Sequence, residues 1–181
     1  MRCLKAFVVG CAVLVSALPL HAQSLESPLL EYELAPGEAA HRGTASVRIF
    51  ADGRVQMKRP SYWRQAGTFE SRLPRTQLAE LLQQVRSLNL AALSPDALAE
   101  AHAEETPRHI LTEVHDADRV TLIVRELGIE RQVTVDAPAA QLERLPNQGA
   151  LSSLVEIDAR LRRLLSTGGN LQGTPADEIT P

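Results

Sequence analysis

The chain has 181 residues, 44% of them apolar, and a formal charge of −3. That is one domain's worth of sequence, long enough to bury a real core. The acidic balance excludes nucleic acid as the main partner, because phosphate binding is driven by counterion release onto a basic surface.

The N-terminus reads as an export signal. Met1-Arg2-Cys3-Leu4-Lys5 is a short positive start, residues 6–20 are an almost unbroken apolar run, and Leu20-His21-Ala22 ends it on a small residue. This order predicts a secretory signal peptide over residues 1–22, cut after Ala22. The run is shorter than the roughly 20 apolar residues a membrane span needs, so no transmembrane helix is expected in the mature chain. Cleavage removes Arg2 and Lys5 and both cysteines, Cys3 and Cys11. The mature domain is then more acidic than the full chain and thiol-free, with no disulfide, thiol nucleophile or thiolate metal site. The bacterial periplasm, or secretion, is the compartment this predicts. A second reading stays open. Val8-Val9-Gly10-Cys11 looks like a lipobox, which would leave a lipoprotein anchored at Cys11. Its apolar core would then be only residues 6–10, against the usual ~7–15.

Residues 23–28 read as a flexible leader and residues 29–165 as a single domain. Leu30-Glu31-Tyr32-Glu33-Leu34 alternates apolar and polar, as a half-buried strand does. Residues 45–57 form the clearest hairpin: Val47 and Ile49 share one side, Asp52-Gly53 supplies a tight turn, and Val55 and Met57 resume the apolar face. Residues 59–64 are an aromatic and basic loop. Residues 74–90 predict an amphipathic helix, with Leu78, Leu81, Leu82, Val85 and Leu88 on one stripe. Ser94-Pro95-Asp96 opens a second, weaker helix running to about Glu105, with Ser94 as its N-cap. Residues 109–114 predict a strand, and residues 120–125 and 129–135 a second hairpin turning at Leu127-Gly128. Residues 147–165 predict the last helix, packed through Leu151, Leu154, Leu161 and Leu164 and stopped by Gly168-Gly169. Residues 166–181 read as a disordered tail.

Together these elements predict an α+β fold: an antiparallel sheet of about six strands with two long amphipathic helices on one face. The order strand, hairpin, helix occurs twice. The turn glycines Gly53 and Gly128 and the dipeptides Leu73-Pro74 and Leu145-Pro146 fall at nearly constant spacing, which suggests an internal repeat.

Residues 44–55, Thr-Ala-Ser-Val-Arg-Ile-Phe-Ala-Asp-Gly-Arg-Val, resemble the opening hairpin of a bacterial exported domain of unknown function. That family follows the hairpin with a helix, a second hairpin and a final helix, the order found here. It typically carries a cysteine pair before the first hairpin strand. This chain has His41-Arg42-Gly43 there, so the resemblance implies the fold and no redox or disulfide role.

Two clusters stand out as candidate sites. Arg48, Arg54, Lys58, Arg59 and Arg64 gather around the first hairpin, with Tyr62 and Trp63 beside them. A tryptophan next to arginines has the composition of a protein-binding hot spot, and an envelope protein with an acidic patch is the partner it suits. The competing reading is that Trp63 folds back as core while the arginines solubilise a strand edge. The second cluster is His102, His109 and His115 among carboxylates, a set of zinc-capable ligands without a tight pair spacing. The competing reading there is a solvated acidic connector. Arg160, Arg162 and Arg163 read as the solvated face of the last helix. No nucleophile elbow, S-x-x-K or phosphate loop is present. The function expected is therefore an exported, non-enzymatic binding module without a cofactor. The alternative is a periplasmic zinc-binding protein or metal-dependent enzyme.

Overall fold

The computed structural model describes residues 27–37, 43–105 and 117–167. The predicted signal peptide, the 109–114 strand, His109, His115, the Gly168-Gly169 stop and the tail from residue 168 lie outside the described residues; Ser166 and Thr167, assigned to the tail, instead end the last helix. The fold is α+β, as the hydrophobic patterning predicts. Six antiparallel strands form one sheet: β1 (Leu30–Ala35), β2 (Ala45–Ile49), β3 (Arg54–Arg59), β4 (Gly67–Arg72), β5 (Arg119–Glu126) and β6 (Ile129–Asp136), in the order β4-β3-β2-β1-β5-β6.

Register explains the single core. Leu30, Tyr32 and Leu34 of β1 oppose Ile49, Val47 and Ala45 on one side and Val124, Leu122 and Val120 on the other. Because side chains alternate along a strand, this alignment puts every buried apolar residue of the central strands on one face. Val55 and Met57 extend that face through β3, and Val133 and Val135 through β6. The helices cover it. Helix α4 (Gly149–Thr167) packs on β2 and β3, and α1 (Arg75–Ser87) packs beside α4. Buried Leu78, Leu81 and Val85 of α1 and Leu151, Leu154, Ile157, Leu161 and Leu165 of α4 join the same cluster. Helix α2 (Pro95–Glu105) begins where predicted: the Ser94 hydroxyl accepts the Ala97 N–H at 3.2 Å. None of the described helices is long and apolar enough to cross a membrane.

The turns follow from their residues. Leu127 and Gly128 both have positive φ, 52° and 80°, which makes the β5–β6 connection a two-residue primed turn matched to strand twist. In the β2–β3 turn, Gly53 sits at φ +85°, and the Asp52 carboxylate accepts the Arg54 N–H.

Several features differ from the sequence expectation. Strand β4 and helix α3 (Pro138–Arg144) were not anticipated. The internal repeat takes in the 109–114 segment as its second opening strand, and that segment lies outside the described residues. Arg160 and Arg162 are also not a solvated face. Arg160 ties α4 to α1, donating to the Gln84 side chain at 3.1 Å and the Gln77 carbonyl at 3.0 Å. Arg162 points back toward the sheet, because a buried aspartate one turn earlier needs its charge.

Candidate partner-binding site

The helices cover one face of the sheet; on the other, the strands set mainly polar side chains in register, with Ile123 the apolar member of the central row. The central row reads Gln132, Ile123, Glu31, Arg48, Gln56, Glu70 across six strands. Glu31 is its pivot. Although no described helix covers it, its side chain is only 10% exposed, because two arginines close over it. Arg48 Nε donates to one carboxylate oxygen at 2.8 Å and Arg125 Nη1 to the other at 3.1 Å. Burial alone would raise the Glu31 carboxyl, but the hydrogen bonds and charge of Arg48 and Arg125 hold it below the usual carboxylate range. Arg125 is further fixed by Glu130 at 2.7 Å.

This brace shapes a cleft of about 590 Å³, bounded by Pro28, Phe50 and Gln56 and by Arg48, Arg54, Arg125 and Glu31. The Arg54 guanidinium lies 3.9 Å over the Phe50 ring, which fixes its direction, and its ion contact with Glu70 is long, at 3.9 Å. Three guanidiniums therefore line a cleft with Glu31 as its one lining carboxylate, while Glu130 and Glu70 contact Arg125 and Arg54 from outside it; the N–H groups left over suit an incoming anionic group.

The hairpin residues singled out from sequence divide between the two faces. Arg48 and Lys58 alternate onto the open face, where Lys58 is exposed and has no ion-pair partner among the described residues. Arg59, one position on, points to the helix side and is 4% exposed. Its Nε donates to the Leu165 carbonyl at 2.7 Å and its Nη1 to Gln65 at 2.9 Å, while its guanidinium lies over the Phe69 ring. Burial pulls its proton affinity down. Arg59 thus satisfies a last-turn carbonyl of α4 and is structural. Trp63 is half-buried and packs against the core cluster. Tyr62 and Arg64 stay exposed at the loop end of the sheet, with the Tyr62 hydroxyl 3.4 Å from the Gly43 carbonyl. Sequence reasoning placed Arg54 in the hairpin cluster but missed Arg125 and Glu31 as members of the site. The alternating charges of Glu31, Arg48 and Arg125 on predicted strands carried the signal, but their register did not.

Of the histidine cluster, only His102 is described; it is half-buried on α2. Among the described residues no three His, Cys, Asp or Glu side chains converge as metal ligands.

A polar network also runs through the covered face. The hydroxyl of fully buried Tyr32 donates to Asp158 Oδ1 at 2.5 Å. Arg162 Nε donates to both Asp158 oxygens at 2.9 Å, and its Nη1 to Asp118 at 2.7 Å. Sequence offered one clue. Asp158 lies on the apolar stripe of α4 between Leu154 and Leu161, where a carboxylate must find partners.

The chain matches no protein-family model, and no curated protein matches it.

Proposed function

We propose that this protein is an exported, non-enzymatic binding module that holds an acidic patch of another envelope protein on the open face of its first hairpin. The observation that carries the reading is the cleft in which Arg48, Arg54 and Arg125 converge around one internally paired carboxylate. Charge segregation supports it. Residues 43–72 contain six basic and two acidic residues within a chain whose overall charge is −3. Positive potential is therefore concentrated on one part of an acidic molecule, the pattern that steers an acidic partner. Tyr62 and Arg64 extend the contact at the rim. Export rests on the N-terminal sequence. An N-terminus at Gln23 in the envelope fraction supports the cleaved form, and lipid on Cys11 the anchored one.

Binding of a fluorescent hexaglutamate peptide to the purified protein tests the interaction. Arg54→Glu with Lys58→Glu reverses one half-buried and one exposed charge while leaving the Glu31 brace intact. Affinity should fall at least about tenfold, and the unfolding midpoint should hold within about 2 °C, as for surface changes of under ~0.5 kcal/mol. Equal binding of hexalysine, or unchanged affinity in the double variant, refutes the assignment.

A further inference from the structure

The β2–β3 turn separates two clefts, and the second lies on the helix side. It is a groove of about 920 Å³ beside α1. Its apolar floor is Leu78 and half-buried Leu82, with exposed Ala79 between them. Its rim is cationic at both ends. Arg72 and Arg75 stand where β4 enters α1, and Arg86 stands in the last turn of α1. Arg75 and Arg86 are eleven positions apart, three helical turns, so they share a face and lie about 16 Å apart along the axis. Arg75 has no ion-pair partner among the described residues. Arg72 and Arg86 are held only by exposed pairs, with Asp52 at 3.0 Å and Glu126 at 2.8 Å. Exposed pairs of this kind contribute little and exchange readily.

We infer that this groove docks a short amphipathic segment of a partner protein, apolar in its middle and carrying a carboxylate at each end. The charge layout selects this occupant. A fatty acyl chain has one anionic end and could reach only one of the two arginine ends. A segment of about ten helical residues spans the same ~16 Å and answers both ends. The inference rests on the reading of an acidic partner and adds a second contact to it, on the opposite side of the same turn.

The probe is a fluorescein-labelled alanine–leucine peptide of about twelve residues with glutamate at each end, compared with its lysine-ended counterpart and with dodecanoate. Ala79→Trp fills the groove from a helix position that already faces solvent. Arg75→Glu reverses one end and places an acid in the first turn of α1, which has none. The helix dipole favours an acid there, so the unfolding midpoint should hold or rise. Each variant should weaken the glutamate-ended peptide about tenfold or more, and the lysine-ended peptide should not bind. The inference is overturned if both variants bind as the parent does, if the lysine-ended peptide binds equally, or if dodecanoate displaces the peptide and so assigns the groove to lipid. Should Ala79→Trp fail to fold, Arg75→Glu alone decides. Hexaglutamate binding that Arg54→Glu/Lys58→Glu abolishes, alongside groove variants without effect, would sink the groove and leave the open-face site standing.

Discussion

Tyr32→Phe removes a single polar atom from the network that crosses the core. Tyr32 lies in the middle of the central strand, is fully buried, and donates to Asp158 Oδ1 at 2.5 Å. A hydrogen bond to a charged acceptor contributes about 1.5–3 kcal/mol. Asp158 keeps both contacts from Arg162 in the variant, so no carboxylate oxygen is orphaned, and the expected loss is about 2 kcal/mol. For a domain of this size that lowers the unfolding midpoint by about 4–8 °C. Asp158→Ala is harsher. It leaves the Tyr32 hydroxyl without its acceptor and Arg162 without its two-oxygen partner, and should cost about 3–5 kcal/mol.

Alkaline pH gives the sharper arm. Burial first, and the Asp158 hydrogen bond second, hold the Tyr32 phenol well above its ordinary value of 10.0. The folded state keeps a proton that the unfolded chain releases above that value. The stabilisation is complete below pH 10 and is lost as pH rises. By pH 11 the unfolded phenolate has gained about 1.4 kcal/mol, so the deficit of Tyr32→Phe should shrink from about 2 to about 0.6 kcal/mol. Urea unfolding of both proteins between pH 7 and 11 measures it, and effects common to both cancel in the difference. A deficit under about 0.5 kcal/mol at pH 7, or one that stays constant to pH 11, would refute the account.

Glu31→Gln should flatten the acid limb of stability. The Glu31 carboxyl is held below its usual range, so its contribution is present above about pH 4.5 and is lost as pH falls through the folded-state value. Thermal unfolding from pH 7 to 3 should therefore separate the two proteins at neutral pH and draw them together in acid; parallel curves would disprove the brace. Gly53→Ala should cost about 2 kcal/mol or more, because a left-handed backbone alone costs an L-residue about 1–2 kcal/mol. The added Cβ would also meet the Leu73 carbonyl oxygen at 2.8 Å, beside the Leu73 N–H bond to the Gly53 carbonyl. A loss under about 1 kcal/mol in urea unfolding would show that the turn can relax.

What the sequence made legible was local. Val47, Ile49, Val55 and Met57 alternate strictly, and Leu127-Gly128 sits where a two-residue turn must, so both hairpins could be placed without knowing their neighbours. Strand β4 escaped because Phe69 is its one large apolar residue on the core side; Gly67 and Ser71 share that face, and an edge strand needs little more. Helix α3 is seven residues long and buries Pro138, too short to show a period. Trp63 was ambiguous for a physical reason. An aromatic beside arginines suits a contact surface and a core lid equally, and only the fold of residues 60–66 decides which. The polar network could not be read locally at all, because Tyr32 and Asp158 are separated by 126 positions.

The arginines sort by what already holds them, and this decides which can bind a partner. Arg59, Arg160 and Arg162 donate to acceptors inside the protein, two of them to main-chain carbonyls of helices and one to a buried carboxylate. Drawing them toward an external anion would orphan those acceptors, at a cost that cancels the gain. Arg48 and Arg125 are intermediate. Each gives one hydrogen bond to Glu31, and Arg125 a second to Glu130, which fixes the guanidiniums while other N–H groups remain for an anion in the cleft. Lys58 and Arg75 have no ion pair among the described residues, and Arg54 has a long one with Glu70 and lies over the Phe50 ring, so an acidic group gains their charge without breaking a short ion pair. Affinity should therefore reside in this last group and geometry in the Glu31 brace. That is why charge reversal at Arg54, Lys58 and Arg75 can separate binding from stability, and why the same change at Arg59 or Arg162 cannot.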